Sequence, residues 1–154
     1  MQSFLVPMHE IDTNLYLGSL MAANNFGILS NAGITTLVSA LSRDTPITKH
    51  PSIKYYSISI DDTPSSNIAQ HVPEAIKFVD SELKQGKKVL IHCAAGISRS
   101  TSIAIAYFMA KYNMDFDQAL NKVKGKRGCA YPNQGFESQL RRLDPRTLRQ
   151  YLNS

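Results

Sequence analysis

Cys93 and Arg99 bracket five small or neutral residues in the stretch His92-Cys93-Ala94-Ala95-Gly96-Ile97-Ser98-Arg99-Ser100. A thiol and a guanidinium at this spacing, with a flexible backbone between them, can turn a row of N–H groups toward one point. That arrangement suits a phosphate dianion with a nucleophile beneath it. A neighbouring cation and a helix N-terminus both favour a thiolate. The planar fork of Arg99 matches phosphate oxygens two at a time, which the point charge of a lysine does not. Gly96 admits torsions that let the loop close around an anion. The Ser100 hydroxyl can be assigned to stabilise the Cys93 sulfur as a leaving thiolate, the alternative being a plain helix-start hydroxyl, and His92 is expected to orient the loop. A cysteine on its own reads as a buried structural residue. Here Arg99, Gly96 and a preceding strand count against that, and a cation opposing a helix dipole asks for an anion.

The elements that must hold this loop are legible around it. Val89-Leu90-Ile91 belongs to a buried strand over 88–93, and residues 99–112, apolar on nearly all sides, read as a buried helix. Upstream, residues 11–17 read as a strand pair or strand-turn ending at Gly18. Residues 21–30 read as a short helix closed by Asn31-Ala32-Gly33, and 34–41 and 55–60 as strands. A polar loop over 61–66, containing Pro64, leads to an amphipathic helix over 72–85. Val72, Ala75, Ile76, Val79 and Leu83 lie on one face of that helix, Pro73 sits in its first turn and Gly86 at its stop. Downstream, Asp115-x-x-Gln118 resembles a capping box opening a helix with Phe116, Ala119, Leu120 and Val123 inward. A loop bounded by Gly125 and Gly128 runs through Pro132, and helices are expected over 133–143 and 145–152. Strands alternating with helices predict an α/β fold, with a central mixed, mostly parallel sheet flanked by helices. The 92–100 loop then lies at the carboxyl end of a strand, where such sheets bind ligands.

The chain has 154 residues, 43% apolar and 19% charged, consistent with a single globular domain over 1–154. No signal peptide or lipidation box is evident, and the longest apolar stretch, near 103–110, is too short to span a bilayer. Two cysteines, Cys93 and Cys129, imply no disulfide framework; a reducing compartment, cytoplasm or nucleus, is expected. The net charge is +5, with Lys122, Lys124, Lys126, Arg127, Arg141, Arg142, Arg146 and Arg149 crowding the C-terminal third. A solvated basic face is the expected reading. Nucleic acid is a disfavoured partner, because aromatics are not interleaved with these charges as a stacking platform needs. The four histidines are scattered, with no metal-ligand spacing, so neither a metal nor another cofactor is expected.

His92 to Ser100 resembles the Cys-x5-Arg-Ser/Thr signature of cysteine-dependent protein phosphatases, and its wording is similar to the dual-specificity phosphatases. Two further motifs resemble that family: Ala130-Tyr131-Pro132-Asn133-Gln134-Gly135-Phe136 and Asn14-Leu15-Tyr16-Leu17-Gly18. The resemblance spans about residues 9–144 and implies an atypical, catalytic-domain-only member. It implies Cys93 as nucleophile, Arg99 and the N–H groups of 94–99 (Ala94, Ala95, Gly96, Ile97, Ser98 and Arg99) as the phosphate cradle, and Ser100 as the aid to the leaving thiolate. An aspartate upstream of the cysteine is the family's general acid, and the match falls on Asp62 rather than the adjacent Asp61. Asn133 is expected to cap a helix or brace a loop. The implied activity is hydrolysis of phosphotyrosine and phosphoserine/phosphothreonine in proteins through a phosphocysteine, with no metal. Phosphoinositide or RNA 5′-triphosphate hydrolysis is the alternative; neutral Ala94, Ala95 and Ile97 argue against a highly charged head group. A non-enzymatic binding module is disfavoured because Cys93 and Arg99 are both kept. Cys129 is expected to be a core or loop cysteine rather than a redox partner, and Asp144-Pro145 a helix break and restart. Oligomeric state is left open.

Overall fold

The structure, a computed structural model, describes residues 3–153. Five strands form one sheet in the order β1-β2-β5-β3-β4: β1 (Met8–Asp12), β2 (Leu15–Gly18), β3 (Ile34–Leu41), β4 (Lys54–Ser59) and β5 (Lys88–His92). Only β1 and β2 run antiparallel; β2–β5, β5–β3 and β3–β4 are parallel, so the sheet is mixed and mostly parallel as expected. The β1–β2 turn uses Asn14 at φ 63°, a left-handed conformation that asparagine tolerates.

Side chains alternate across the sheet into two cores. Val38, Ala40, Val89 and Ile91 face α3 (Val72–Lys84), α4 (Arg99–Tyr112), α5 (Phe116–Lys124), α6 (Gln134–Arg141) and α7 (Pro145–Arg149). Leu37 and Leu90 face α1 (Leu20–Ala23) and α2 (Phe26–Ala32), with Ile47 and Ile53 of the 42–53 segment closing that side. α4 is the central helix, buried continuously from Arg99 to Ala110, which explains why its sequence lacks a polar face. No helix among the described residues is long and apolar enough to cross a membrane.

Some boundaries differ from the sequence reading. The single helix expected over 21–30 is two: Asn25 takes the N-cap position, its side chain accepting from the Ile28 N–H, and so starts a new helix. That second helix continues to Ala32, where Gly33 at φ 75° ends it. α6 begins after Asn133 and stops at Arg141, and α7 gives way at Gln150 to a 3-10 turn. Most of the C-terminal cations are exposed, as expected of a solvated face, but several are also tied down. Lys122 pairs with Asp12 and Lys124 donates to the Gly128 and Ala130 carbonyls. Arg141 grips Asp117 and Glu137, Arg146 pairs with Asp144, and Arg149 donates to the Ala110 and Lys111 carbonyls at the end of α4. Arg127 is fully buried.

Candidate active site

Residues 93–98 connect the end of β5 to α4, and every carbonyl from 94 to 98 is tied outward. Ala94 O accepts from Leu20 N at 3.0 Å, Ile97 O from Tyr131 N at 2.9 Å, and Ser98 O from Ser102 N at 3.0 Å. Arg127 takes the two between, with Nη2 donating to Ala95 O at 3.2 Å and Nε to Gly96 O at 2.8 Å. Peptide planes with their carbonyls held on the outside turn their N–H groups to the inside. Those of residues 94–99 have no partner among the described residues. Gly96 makes the tight path possible. Its φ is +70°, and a Cβ there would meet the Gly18 carbonyl carbon at 2.6 Å and Arg127 Nη2 at 2.8 Å.

Cys93 stands at the base of this loop, 2% exposed, with its Sγ 3.1 Å from Ser100 Oγ. His92 lies behind it. The Cys93 carbonyl can only accept, so the 3.3 Å contact with His92 Nδ1 puts the ring proton on Nδ1. His92 Nε2 is then left to accept from Ser39 Oγ at 2.6 Å. Burial pushes the His92 pKa down to about 4, so the ring stays neutral and fixes the cysteine's backbone.

Arg99, the first residue of α4, is 8% exposed and is held by the loops that follow β3 and β4. Its Nη1 donates to Ser42 Oγ at 3.2 Å and to Ile60 O at 3.0 Å. Its Nε is buried without a hydrogen-bond partner. An orphaned, charged donor beside a set of unpaired amides suits the oxygens of a tetrahedral oxyanion.

Asp62 and Asp61 are both exposed on the loop after β4, but they are held differently. Asn133 Nδ2 donates to Asp62 Oδ1 at 2.9 Å, whereas Asp61 lines a neighbouring depression with Arg43 and His71. The same asparagine donates its backbone N–H to Ser98 Oγ at 2.8 Å and caps α6 by accepting from Phe136 N at 2.9 Å. It therefore joins the phosphate-binding loop, the aspartate loop and a helix. Gly135 lies directly against the Pro64 carbonyl with no space for a Cβ, and Gln139 binds Ser66 O and Ala69 N.

This geometry agrees with the comparisons to known proteins. The family model for the dual specificity phosphatase catalytic domain matches residues 15–145. The chain belongs to the dual-specificity phosphatase family. It is 36% identical to mouse dual specificity protein phosphatase 22, over 94% of this chain and 77% of the relative. It is 42% identical to a probable rhodanese domain-containing dual specificity protein phosphatase of Dictyostelium discoideum, over 90% of this chain but only 29% of that longer protein. The crystal structure of DUSP15 superposes with a TM-score of 0.88 at 33% identity, covering 96% of this chain and 95% of that one. By family and fold it is a protein-tyrosine/dual-specificity phosphatase, a hydrolase of phosphoric monoesters.

The structure of this phosphatase brings Cys93, Arg99, Ser100, His92 and the 94–98 backbone together, with Asp62 joined to them through Asn133. Cys129 is free and half-buried. The residue that sequence reasoning missed is Arg127, read only as one of a basic run. It is 0% exposed and makes no ion pair with a carboxylate among the described residues. Besides the two loop carbonyls, its Nη1 donates to Val6 O at 2.8 Å and to His9 Nδ1 at 3.0 Å. Burial, and then the Arg127 charge, lower the His9 pKa, keeping Nδ1 free to accept. Burial lowers the Arg127 pKa, with Cys129 and Cys93 opposing that shift. The one available signal was its place between Gly125 and Gly128, in a loop with no helical face to present it to water. Ser39 and Ser42, which hold His92 and Arg99, were hidden inside and just after a strand pattern.

Proposed function

We propose that this phosphatase hydrolyses phosphotyrosine and phosphoserine/phosphothreonine in proteins through a phosphocysteine formed on Cys93. The observation that carries the reading is the pairing of Cys93 Sγ with Ser100 Oγ at 3.1 Å, on the floor of a loop whose carbonyls all point away. The Cys93 thiolate attacks phosphorus, an S–P bond forms and the P–O bond to the substrate breaks. Asp62, protonated, gives its proton to the departing oxygen. Water then attacks phosphorus while the Asp62 carboxylate takes its proton. The S–P bond breaks, and the Ser100 hydroxyl hydrogen-bonds to the leaving thiolate. The Arg99 guanidinium and the N–H groups of 94–99 hold the non-bridging oxygens through both steps. Ala94, Ala95 and Ile97 add no charge to the cradle, which favours a single phosphomonoester on a protein over a multiply charged head group. We assign residues 1–154 to one catalytic domain. A free thiol nucleophile suits a reducing compartment, cytoplasm or nucleus.

Turnover of p-nitrophenyl phosphate tests the reading. Cys93→Ser is expected to abolish it while chelators leave the parent protein unaffected; persistent turnover in the variant would remove Cys93 as nucleophile. Asp62→Ala is expected to lower kcat on a phosphoserine peptide by about 10²–10⁴-fold, and Asp61→Ala to do far less. Equal losses would overturn the choice of acid.

A further inference from the structure

A depression of about 320 Å³ with an apolar floor of Leu41, Ile47 and Ile58 opens where the 42–53 segment folds over the carboxyl ends of β3 and β4. Its lining includes two cations, Arg43 and Lys49, and five hydroxyl side chains, and no carboxylate. Two of those hydroxyls form its wall toward the catalytic loop: Ser39 Oγ lies 2.6 Å from His92 Nε2, and Ser42 Oγ accepts from Arg99 at 3.2 Å. The depression is therefore one side chain away from the phosphate cradle. The other three, Thr45, Ser57 and Ser59, have hydroxyls without a partner among the described residues. Arg43 makes no hydrogen bond or ion pair among the described residues, and Lys49 only lies 5.4 Å from the Tyr55 ring centroid. Arg141, Arg146 and Arg149 are tied to carboxylates or carbonyls, whereas Arg43 shares its unpaired state with the exposed Arg142 and differs from it in lining a depression. Arg43 also lines the adjoining depression of about 260 Å³ with Ile60 and Asp61. It thus stands between the first depression and the aspartate loop, at the rim of the catalytic centre.

We propose that this depression is a substrate subsite for an anionic side chain, a carboxylate or a second phosphate, carried by the peptide beside its phosphorylated residue. The proposal rests on the reading of Cys93 and Arg99 as the catalytic centre. Donors without acceptors, grouped next to a phosphate cradle in a lining that holds no carboxylate, select for negative charge even with Asp61 in the adjoining depression. Arg43 supplies the fork, Lys49 the second charge, and Ser57 and Ser59 on the edge strand the neutral donors.

The test is equilibrium binding of fluorescent phosphotyrosine peptides to the Cys93→Ser protein, which needs no turnover. Three sets share one core sequence, with alanine, glutamate or phosphoserine walked through the flanking positions. At one flanking position the glutamate or phosphoserine peptide should bind roughly fivefold tighter than the alanine peptide, and the advantage should shrink with added salt. Arg43→Ala with Lys49→Ala should erase that advantage without weakening the alanine peptide, and Arg43→Glu should invert it in favour of a lysine-flanked peptide. Whether glutamate or phosphoserine gains more distinguishes carboxylate from phosphate as the natural occupant. No position with an anionic preference, or a loss in the double variant that is equal for all three sets, overturns the proposal. Turnover of p-nitrophenyl phosphate by Arg43→Ala with Lys49→Ala, in a background with Cys93 intact, is expected to match the parent. Absence of turnover in the parent would count against the catalytic reading and leaves the binding result to decide the subsite.

Discussion

Besides its carbonyl, which accepts from Glu137 N in the first turn of α6, Asn133 makes three hydrogen bonds with three different groups, and substitutions can separate them. Serine caps a helix as well as asparagine does but is too short to reach Asp62. Asn133→Ser is therefore expected to lower kcat by about tenfold while keeping thermal stability near the parent. Asn133→Ala should lose the same activity and also the cap, worth about 1 kcal/mol, or a Tm drop of roughly 2–4 °C for a domain of this size. Calorimetry beside kcat measurements checks both. Equal stability of the two variants would show that the cap contributes nothing. His92 sets a pH dependence. Its ordinary value of 6.5 falls to about 4 in the fold, so between those limits the unfolded chain binds the proton that the native ring refuses. Stability should fall as pH drops through that window, by roughly 3 kcal/mol in all. His92→Gln should flatten that part of the curve, read as urea midpoints at pH 7, 5.5 and 4. At this scale the sequence was most legible where a residue type has one use, as with Cys93, Arg99 and Gly96. It carried only a faint signal on Arg127, its place between two glycines, because residue type alone does not distinguish an arginine that points outward from one whose guanidinium holds two carbonyls of a distant loop.

Among the elements, α6 is the brace for the aspartate loop, and Gly135 is its closest point. A methyl group there has to displace the Pro64 carbonyl. Gly135→Ala is expected to destabilise the domain by about 1–3 kcal/mol and to lower kcat more than it raises KM, because the loop carrying Asp62 moves. A stability loss with unchanged kcat would separate the helix from the acid. The Pro-Asn-x-Gly-Phe segment was visible in the sequence as a family motif, but its physical purpose was not. The contact that explains Gly135 is made with Pro64, 71 residues earlier in the chain. Periodicity did place β3, α3, α4 and α5 closely, because each has a single buried stripe or is buried throughout. It failed at 21–30, where the apolar pattern runs on but Asn25 restarts the helix.

At the scale of the whole molecule, the strand order β2-β5-β3-β4 sets the carboxyl ends of four parallel strands side by side, with those of β5, β3 and β4 next to the site. The loops leaving them supply Ser42, Asp62 and Cys93 to one edge. The alternation of strands and helices predicted such an edge but not which strands meet there. The opposite end of the chain is tied in as well: Val6 O accepts from Arg127, and Pro7 O accepts from Ser19 N at 2.8 Å. Removing residues 1–7 is expected to weaken inhibition by tungstate, a phosphate mimic, several-fold by loosening the guanidinium that holds Ala95 and Gly96. Unchanged inhibition would place Arg127's footing entirely in the loop. The brace on the aspartate loop carries one more consequence. A segment fastened to α6 through Asp62, Pro64, Ser66 and Ala69 is expected to hold its acid in place before substrate arrives. Turnover is then expected to show no dependence on solvent viscosity from loop closure, and such a dependence in kcat would overturn the reading.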